Sequence, residues 1–119
     1  MTAETERAVR PEDLTRLFVE RGNAGDAEGL AALYEPDAIV AFPPGQLTVG
    51  RDAITALYQQ MLATKPHFRL ETPLPTLAMG DLALTATPAL DEAGARAQVV
   101  RRQADGTWLR VLDRPDFRG

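Results

Sequence analysis

Residues 23–54, NAGDAEGLAALYEPDAIVAFPPGQLTVGRDAI, decide the fold of this chain. Asn23 is a good stop for a first helix, and Asp26 can cap a short second helix. A strand then runs up to Phe42, because the Pro-Pro-Gly sequence that follows breaks it. The Gly-Arg-Asp sequence beginning at Gly50 leads into a third helix, whose apolar residues recur at helical spacing. The segment therefore predicts the helical wall and the mouth of a pocket.

The residues on either side of this segment complete an α+β pattern. Residues 1–10 are polar and predict a frayed N-terminal arm, so the domain is expected to span residues 11–119. The first helix begins at Pro11, a residue tolerated in a first turn. Beyond Pro66 the apolar residues alternate, which predicts strands. Three helices followed by an antiparallel meander predict helices on one face of a sheet that forms the pocket floor.

Composition and charge narrow the functional classes. The chain of 119 residues is long enough for one domain with a core of its own. It has no cysteine, which excludes disulfides and thiolate metal sites and favours a cytoplasmic location. The net charge of −4 argues against nucleic acid as a partner, and no apolar segment has the length of a membrane span. Basic residues still cluster towards the C-terminus, on what is either a solvated sheet face, which we favour, or an anion-binding face: Arg96, Arg101, Arg102, Arg110, Arg114 and Arg118.

The register of the last hairpin can be predicted from its turn. Ala104-Asp105-Gly106 suits a three-residue loop with Gly at the left-handed position, so that Gln103 faces Thr107 and Val99 faces Val111. A two-residue turn at Asp105-Gly106 is the alternative, and it would shift the pairing by one residue. In the favoured register one sheet face carries Leu84, Ala86, Val99, Arg101, Leu109, Val111 and Asp113. The other carries Thr85, Thr87, Gln98, Val100, Arg102, Trp108, Arg110 and Leu112.

The first of these faces is the more apolar, so it is predicted to meet the helices. Arg101 and Asp113 then lie among apolar neighbours, and each needs a partner, water or a ligand, because burying an unpaired charge is costly. Both can be satisfied polar contacts near the sheet rim. Both can instead line a pocket, with Asp113 as an acid/base candidate and Arg101 as a stabiliser of an oxyanion.

The opposite face presents Trp108 beside Arg102 and Arg110. This arrangement can be a surface cation–π contact. A sheet face with a Trp and neighbouring aliphatic residues is also typical of a dimer interface. We favour a homodimer that forms through the face containing Trp108.

The order and spacing of short motifs resemble the nuclear-transport-factor-2-like superfamily, with the closest likeness to SnoaL-like and ketosteroid-isomerase-like small proteins. The likeness spans about residues 11 to 114. The residues that carry it are Asn23, Gly25, Asp26, Leu33, Tyr34, Asp37, Ala38, Pro44, Gly45, Gly50, Arg51, Ala53, Ile54, Asp105, Gly106 and Trp108. The resemblance implies a cone fold, in which a curved antiparallel sheet packs against three N-terminal helices around an apolar cavity.

The resemblance and the predicted sheet register together imply a set of lining residues. These are Phe18, Tyr34, Phe42, Tyr58, Leu62, Leu84, Val99, Arg101, Val111 and Asp113. Ketosteroid isomerases would carry a Tyr, a base Asp and a protonated Asp where this chain has Phe18, Phe42 and approximately Val99. Since a Phe can neither accept a proton nor donate a hydrogen bond, steroid isomerisation by that mechanism is not expected.

The expected function is therefore the binding of a small hydrophobic ligand. If the protein is an enzyme, we expect isomerase or cyclase activity on a hydrophobic or polycyclic substrate. The alternative is a non-catalytic ligand-binding or dimerisation module. No cofactor is expected. No metal site is expected either, because His67 is the only histidine and the carboxylates lack metal-ligand spacing. His67 itself is predicted to face outwards.

Overall fold

Three helices and six strands follow one another in the order that the sequence predicts for an α+β domain. The structure is a computed structural model, described for residues 6–89 and 94–115. The helices are α1 (Asp13–Asn23), α2 (Ala27–Ala31) and α3 (Arg51–Leu62). The strands are β1 (Tyr34–Val40), β2 (Thr48–Val49), β3 (Leu77–Met79), β4 (Leu82–Thr87), β5 (Arg96–Arg102) and β6 (Trp108–Arg114).

The strands form one curved, unclosed sheet in the order β2-β1-β6-β5-β4-β3. Strands β3 to β6 are an antiparallel meander, as predicted. Strand β1 lies between β2 and β6, and it pairs with β6 in parallel. The prediction of an α+β fold with a curved sheet against three helices is confirmed.

Local chemistry explains where the early elements begin and end. The Asp26 side chain accepts a hydrogen bond from the Gly29 amide at 2.9 Å and caps α2, as expected. Gly50, which precedes α3, has φ of +91°, a conformation that favours glycine. Helix α2 ends three residues before Tyr34, so β1 begins earlier than predicted and includes Pro36.

The segment 65–76, for which the sequence predicts a strand around Phe68, contains no regular secondary structure. Pro66, Pro73 and Pro75 remove three amide donors from it, which prevents a continuous ladder. The Leu74 amide still donates to the carbonyl of Ala86 at 2.8 Å, so the segment runs along the edge of β4. The segment is therefore an extended stretch along the sheet edge and not a regular strand.

The prediction of which sheet face meets the helices is wrong. The buried residues of β4, β5 and β6 are Ala83, Thr85, Thr87, Gln98, Val100, Trp108, Arg110 and Asp113. On the other face Leu84 and Leu112 remain 40% and 46% exposed. A four-residue loop before β5 would place Leu84 opposite Arg101, but Leu84 pairs with Val99. This shift of two residues leaves each side chain on the same face of the sheet. The more polar face can be buried because its side chains hydrogen-bond with one another, which counting apolar residues does not detect.

A β-bulge in β6 brings Asp113 to the buried face. The predicted pairs hold as far as Val100 with Arg110, but Val99 then pairs with Leu112 rather than Val111. Val111 is thus an extra residue in β6, and every later residue changes face. The prediction that Asp113 shares a sheet face with Arg101 is wrong, and the carboxylate lies instead on the same face as Arg110.

Trp108 belongs to the chain's own core. It is 7% exposed, and its backbone amide donates to the Ala8 carbonyl at 2.9 Å. The prediction that Trp108 contributes to an exposed dimer interface is therefore wrong. Residues 6–10, expected to fray, dock on the domain: Ala8 is 2% exposed, and the Asp13 carboxylate accepts from the Val9 and Arg10 amides.

Candidate functional site

A cavity of about 340 Å³ lies between α1, α3, the segment 65–76 and the buried sheet face. Its middle is apolar, with Phe18, Phe42, Leu57, Met61 and Phe68 as the main lining residues. Phe18 packs edge-on against both Tyr58 and Phe68, with ring centroids 5.7 Å and 5.6 Å away. The volume lies within the range of small-molecule sites, and the aromatic walls are typical of them.

One end of the cavity holds a buried hydrogen-bonded group that we call the inner cluster: Tyr34, Tyr58, Gln98, Arg110 and Asp113. The Tyr34 hydroxyl donates to Asp113 Oδ2 at 2.5 Å and lies 2.8 Å from the Tyr58 hydroxyl. Because the Tyr34 proton points at the carboxylate, the Tyr58 hydroxyl is the donor to Tyr34. Gln98 Nε2 donates to Asp113 Oδ1 at 3.2 Å. Both oxygens of the carboxylate therefore have a donor from the protein.

The Gln98 amide is itself held in orientation. Its Oε1 accepts from the Thr85 hydroxyl at 2.8 Å, which leaves its Nε2 facing Asp113. Thr85 and Gln98 are directly paired residues of β4 and β5, so the sheet register fixes this contact. The strand pairing therefore positions the carboxylate indirectly.

Arg110 is the least satisfied member of the inner cluster. Its side chain is buried, and Nη1 lies 3.4 Å from the Tyr34 hydroxyl and 3.6 Å from Asp113 Oδ2. Its Nε is buried with no hydrogen-bond acceptor. The guanidinium lies 5.0 Å from the centre of the Phe18 ring, a cation–π contact. A buried donor without an acceptor is costly, so Arg110 is the member of the inner cluster that has hydrogen-bonding capacity left over.

Burial and the neighbouring charges fix the protonation states of three members. Burial, reinforced by the charge of Asp113, raises the pKa of the Tyr34 hydroxyl well above its usual range. The same two causes raise the pKa of Tyr58. Burial opposes the charged form of Arg110, but Tyr34 and Asp113 outweigh it and raise the pKa of the guanidinium. At neutral pH the two hydroxyls are donors and Arg110 is a cation.

The other end of the cavity holds His67, Arg69, Glu71 and Arg96, which we call the outer cluster. His67 and Arg69 are exposed, whereas Glu71 and Arg96 are half-buried and form an ion pair with each other. His67 is exposed, but it also lines this end of the cavity, whereas the sequence predicts that it faces outwards.

The segment that carries most of the outer cluster is fastened to the end of α1. The Asn23 side chain donates to the Phe68 carbonyl at 2.9 Å and accepts from the Phe68 amide at 2.8 Å. Gly22 leaves room for the Phe68 ring, because a Cβ there would stand 2.7 Å from the ring carbon Cδ2. Two consecutive residues of α1 thus hold Phe68 over the cavity.

The structure brings some of the sequence-predicted site residues together and separates others. Phe18, Phe42, Tyr58 and Asp113 line the cavity, and Tyr34 reaches Asp113 from behind Tyr58. Leu62 packs against the core without lining the cavity. The remaining predicted residues lie on the opposite sheet face: Leu84, Val99, Arg101 and Val111.

Arg101 is therefore not next to Asp113. Its side chain is 48% exposed and pairs with Glu35 at 2.9 Å. Sequence reasoning instead missed Gln98 and Arg110, because both were assigned to the outer face. A signal was present in β4 and β5: Thr85 and Gln98 are complementary polar residues, typical of strands whose side chains bond to each other.

Comparisons with known proteins agree with the cone-shaped architecture. A model of the family described as SnoaL-like domain matches residues 15–117. A ketosteroid isomerase-like protein from Erwinia carotovora atroseptica is 17% identical, with 87% of this chain and 89% of that chain covered and a TM-score of 0.67. An NTF2-like protein with a cystatin-like fold from Novosphingobium aromaticivorans is 22% identical, with 86% and 75% covered and a TM-score of 0.66. A domain of unknown function with a cystatin-like fold from Nostoc punctiforme is 19% identical, with 87% and 72% covered and a TM-score of 0.72. No curated protein matches the chain.

Residues 6–89 and 94–115 contain neither a membrane-spanning helix nor a cluster of metal ligands. No helix there is long and apolar enough to cross a membrane. No group of three or more His, Cys, Asp or Glu side chains in those ranges is placed to hold a metal ion.

Proposed function

Since the chain belongs to the SnoaL-like domain family, we propose that it binds a small, mainly apolar molecule in the 340 Å³ cavity and orients it through the inner cluster. The observation that carries this proposal is the buried Arg110, whose Nε has no acceptor, beside the aromatic lining residues in the middle of the cavity. A ligand oxygen would accept from the guanidinium of Arg110, while the Phe18 and Phe42 rings contact the apolar body.

The inner cluster also supports a reaction. Asp113 lines the cavity and is the carboxylate at the inner end, where it would take a proton from a carbon beside a carbonyl group that the nearby Arg110 polarises. Proton transfer of this kind is the chemistry of isomerases and of cyclases that proceed through an enolate. Phe18 and Phe42 leave hydrocarbon where ketosteroid isomerases would carry polar groups, so Asp113 and Arg110 would perform the reaction without them.

The bicyclic ketone 2-tetralone tests the binding and the reaction together. The wild-type protein is expected to speed the exchange of its α-protons for deuterium, followed by nuclear magnetic resonance. Asp113→Asn should abolish the acceleration yet still bind 2-tetralone, because an amide fills the same space and can still accept from Tyr34. The matched control is Arg101→Gln, which removes a charge from the opposite sheet face and should exchange at the wild-type rate.

Exchange in the Asp113→Asn variant at the wild-type rate would remove Asp113 from the reaction. Binding without any acceleration by the wild-type protein would favour the non-catalytic ligand-binding module instead.

A homodimer is still expected, through a different surface from the one that the sequence indicated. The exposed sheet face carries Leu82, Leu84 and Leu112, each about 40% exposed or more. Apolar side chains grouped on one face are typical of an interface between copies of a chain. This face replaces that of Trp108 in the proposal. The cytoplasmic location stays a prediction.

A further inference from the structure

The charged groups that line the cavity are unequally satisfied. Both lining carboxylates are engaged: Asp113 accepts from Tyr34 and Gln98, and Glu71 pairs with Arg96. The cations are less fully engaged. Arg110 keeps a buried Nε without an acceptor, and Arg69 makes no hydrogen bond or ion pair with any residue in the described ranges.

Among the residues that the structure describes, the charged groups lining the cavity include more arginines than carboxylates. Within the described ranges the lining carries three arginines and two carboxylates, whereas the chain as a whole has a net charge of −4. An excess of positive charge in a cleft raises the local concentration of anionic ligands and opposes the repulsion from the rest of the surface. The cavity is therefore more favourable to an anion than the surrounding protein surface is.

The position of the carboxylates decides which end an anion would occupy. At the inner end Asp113 is close to any group that accepts from Arg110, so a second full negative charge there would be repelled. A neutral oxygen, such as that of a carbonyl or a phenol, avoids this repulsion. At the outer end the charge of Glu71 is already offset by Arg96, and Arg69 is exposed to solvent beside them. An ionised group is favoured at that end.

We propose that the ligand is an organic acid with an apolar body, which presents a neutral oxygen to Arg110 and a carboxylate to Arg69. This inference rests on the proposed function, because it specifies the ligand of the same cavity. Arg69 is in this sense a specificity-determining residue, and it has no part in the proposed proton transfer.

The test uses two probes that share one ring system. The acid is 6-hydroxy-2-naphthoate, which carries a phenol at one end and a carboxylate at the other. The neutral probe is 6-hydroxy-2-naphthamide, which has the same shape without the charge. Dissociation constants are measured by probe fluorescence for the wild type, for Arg69→Gln and for the control Arg101→Gln, at low and at high salt.

The wild type is expected to bind the acid about fivefold more tightly than the amide, since an exposed ion pair contributes at most a factor of this size. Arg69→Gln should remove that preference and leave the amide unaffected, and Arg101→Gln should leave both unchanged. Added salt should weaken the binding of the acid only. Arg69 is exposed, so its replacement is not expected to disturb folding.

Three results would overturn the inference. Equal binding of acid and amide by the wild type would show that no carboxylate is selected. If Arg69→Gln weakens the binding of the acid and of the amide equally, Arg69 maintains the structure of the cavity wall and does not recognise the carboxylate. If neither probe nor 2-tetralone binds, the proposed function fails and this inference fails with it; if only the acid preference is missing, the proposed function stands.

Discussion

The inner cluster predicts an unusual dependence of stability on alkaline pH. The chain has two tyrosines, Tyr34 and Tyr58, and both are buried in this cluster with raised hydroxyl pKa values. Because their pKa values are higher in the folded state than in the unfolded state, their contribution to stability is fully present below about pH 10 and is lost as the pH rises above it. The folded protein keeps two protons that the unfolded chain releases.

The size of the effect follows from counting protons. Each retained proton lowers the free energy of unfolding by about 1.4 kcal/mol per pH unit above pH 10, so the two together remove roughly 5 kcal/mol by pH 12. This loss is comparable with the whole stability of an ordinary domain. Replacing either hydroxyl, in Tyr34→Phe or Tyr58→Phe, should halve the slope, although each variant begins from a lower stability because a hydrogen bond is lost.

The assay is urea unfolding followed by circular dichroism from pH 8 to pH 12, with tyrosinate absorbance recorded in parallel. The absorbance reports on these two residues alone, and no thiol contributes because the chain has no cysteine. Met61→Ala is the control, because it weakens packing at the same cavity but removes no hydroxyl, so its slope should stay at the wild-type value. Tyrosinate that forms near pH 10 while the native circular dichroism persists would refute the buried hydrogen-bonded arrangement.

The remaining predictions concern the wall of the cavity and the exposed sheet face. Asn23→Ala should speed tryptic cleavage after Arg69, because it removes both hydrogen bonds that hold Phe68, whereas a rate equal to that of the wild type would mean that these bonds do not restrain the segment. Leu84→Asp should convert the expected dimer into a folded monomer in sedimentation velocity, and a dimer that persists would place the interface elsewhere. Trp108→Asp should instead cost about 3–5 kcal/mol or more and unfold the chain, since it puts a charge into the core.

The fold could be predicted from the sequence because its signals are local. Asp26 and Gly50 mark the starts of helices, and the Ala104-Asp105-Gly106 turn fixes the hairpin with Gly106 at φ of +86°. Pro73 and Pro75 indicate from the sequence that a strand in the segment 65–76 is interrupted or lies at an edge. The whole segment lacks regular structure, however, and this depends on its position in the tertiary structure along the edge of β4.

The candidate site was less predictable, because its geometry depends on non-local contacts. The face assignment relied on the number of apolar residues, and that number does not reveal that Thr85 and Gln98 satisfy each other or that Arg110 can be buried between two aromatic rings. The sequence places Tyr34 and Tyr58 among the lining residues, but their hydrogen-bonded link to Asp113 depends on the actual strand register. The register was predicted from the residues of the turn, and those residues give no indication of a bulge at Val111.

The bulge at Val111 also makes the chain respond asymmetrically to changes in length. With one residue fewer between Arg110 and Asp113, β6 would match β5 residue for residue and the carboxylate would still point inwards. With one residue more, the alternation would carry Asp113 to the solvent side and leave the cavity without its acid. Deletions in this short stretch are therefore expected to be silent during evolution, whereas insertions would remove the carboxylate from the site without a single substitution.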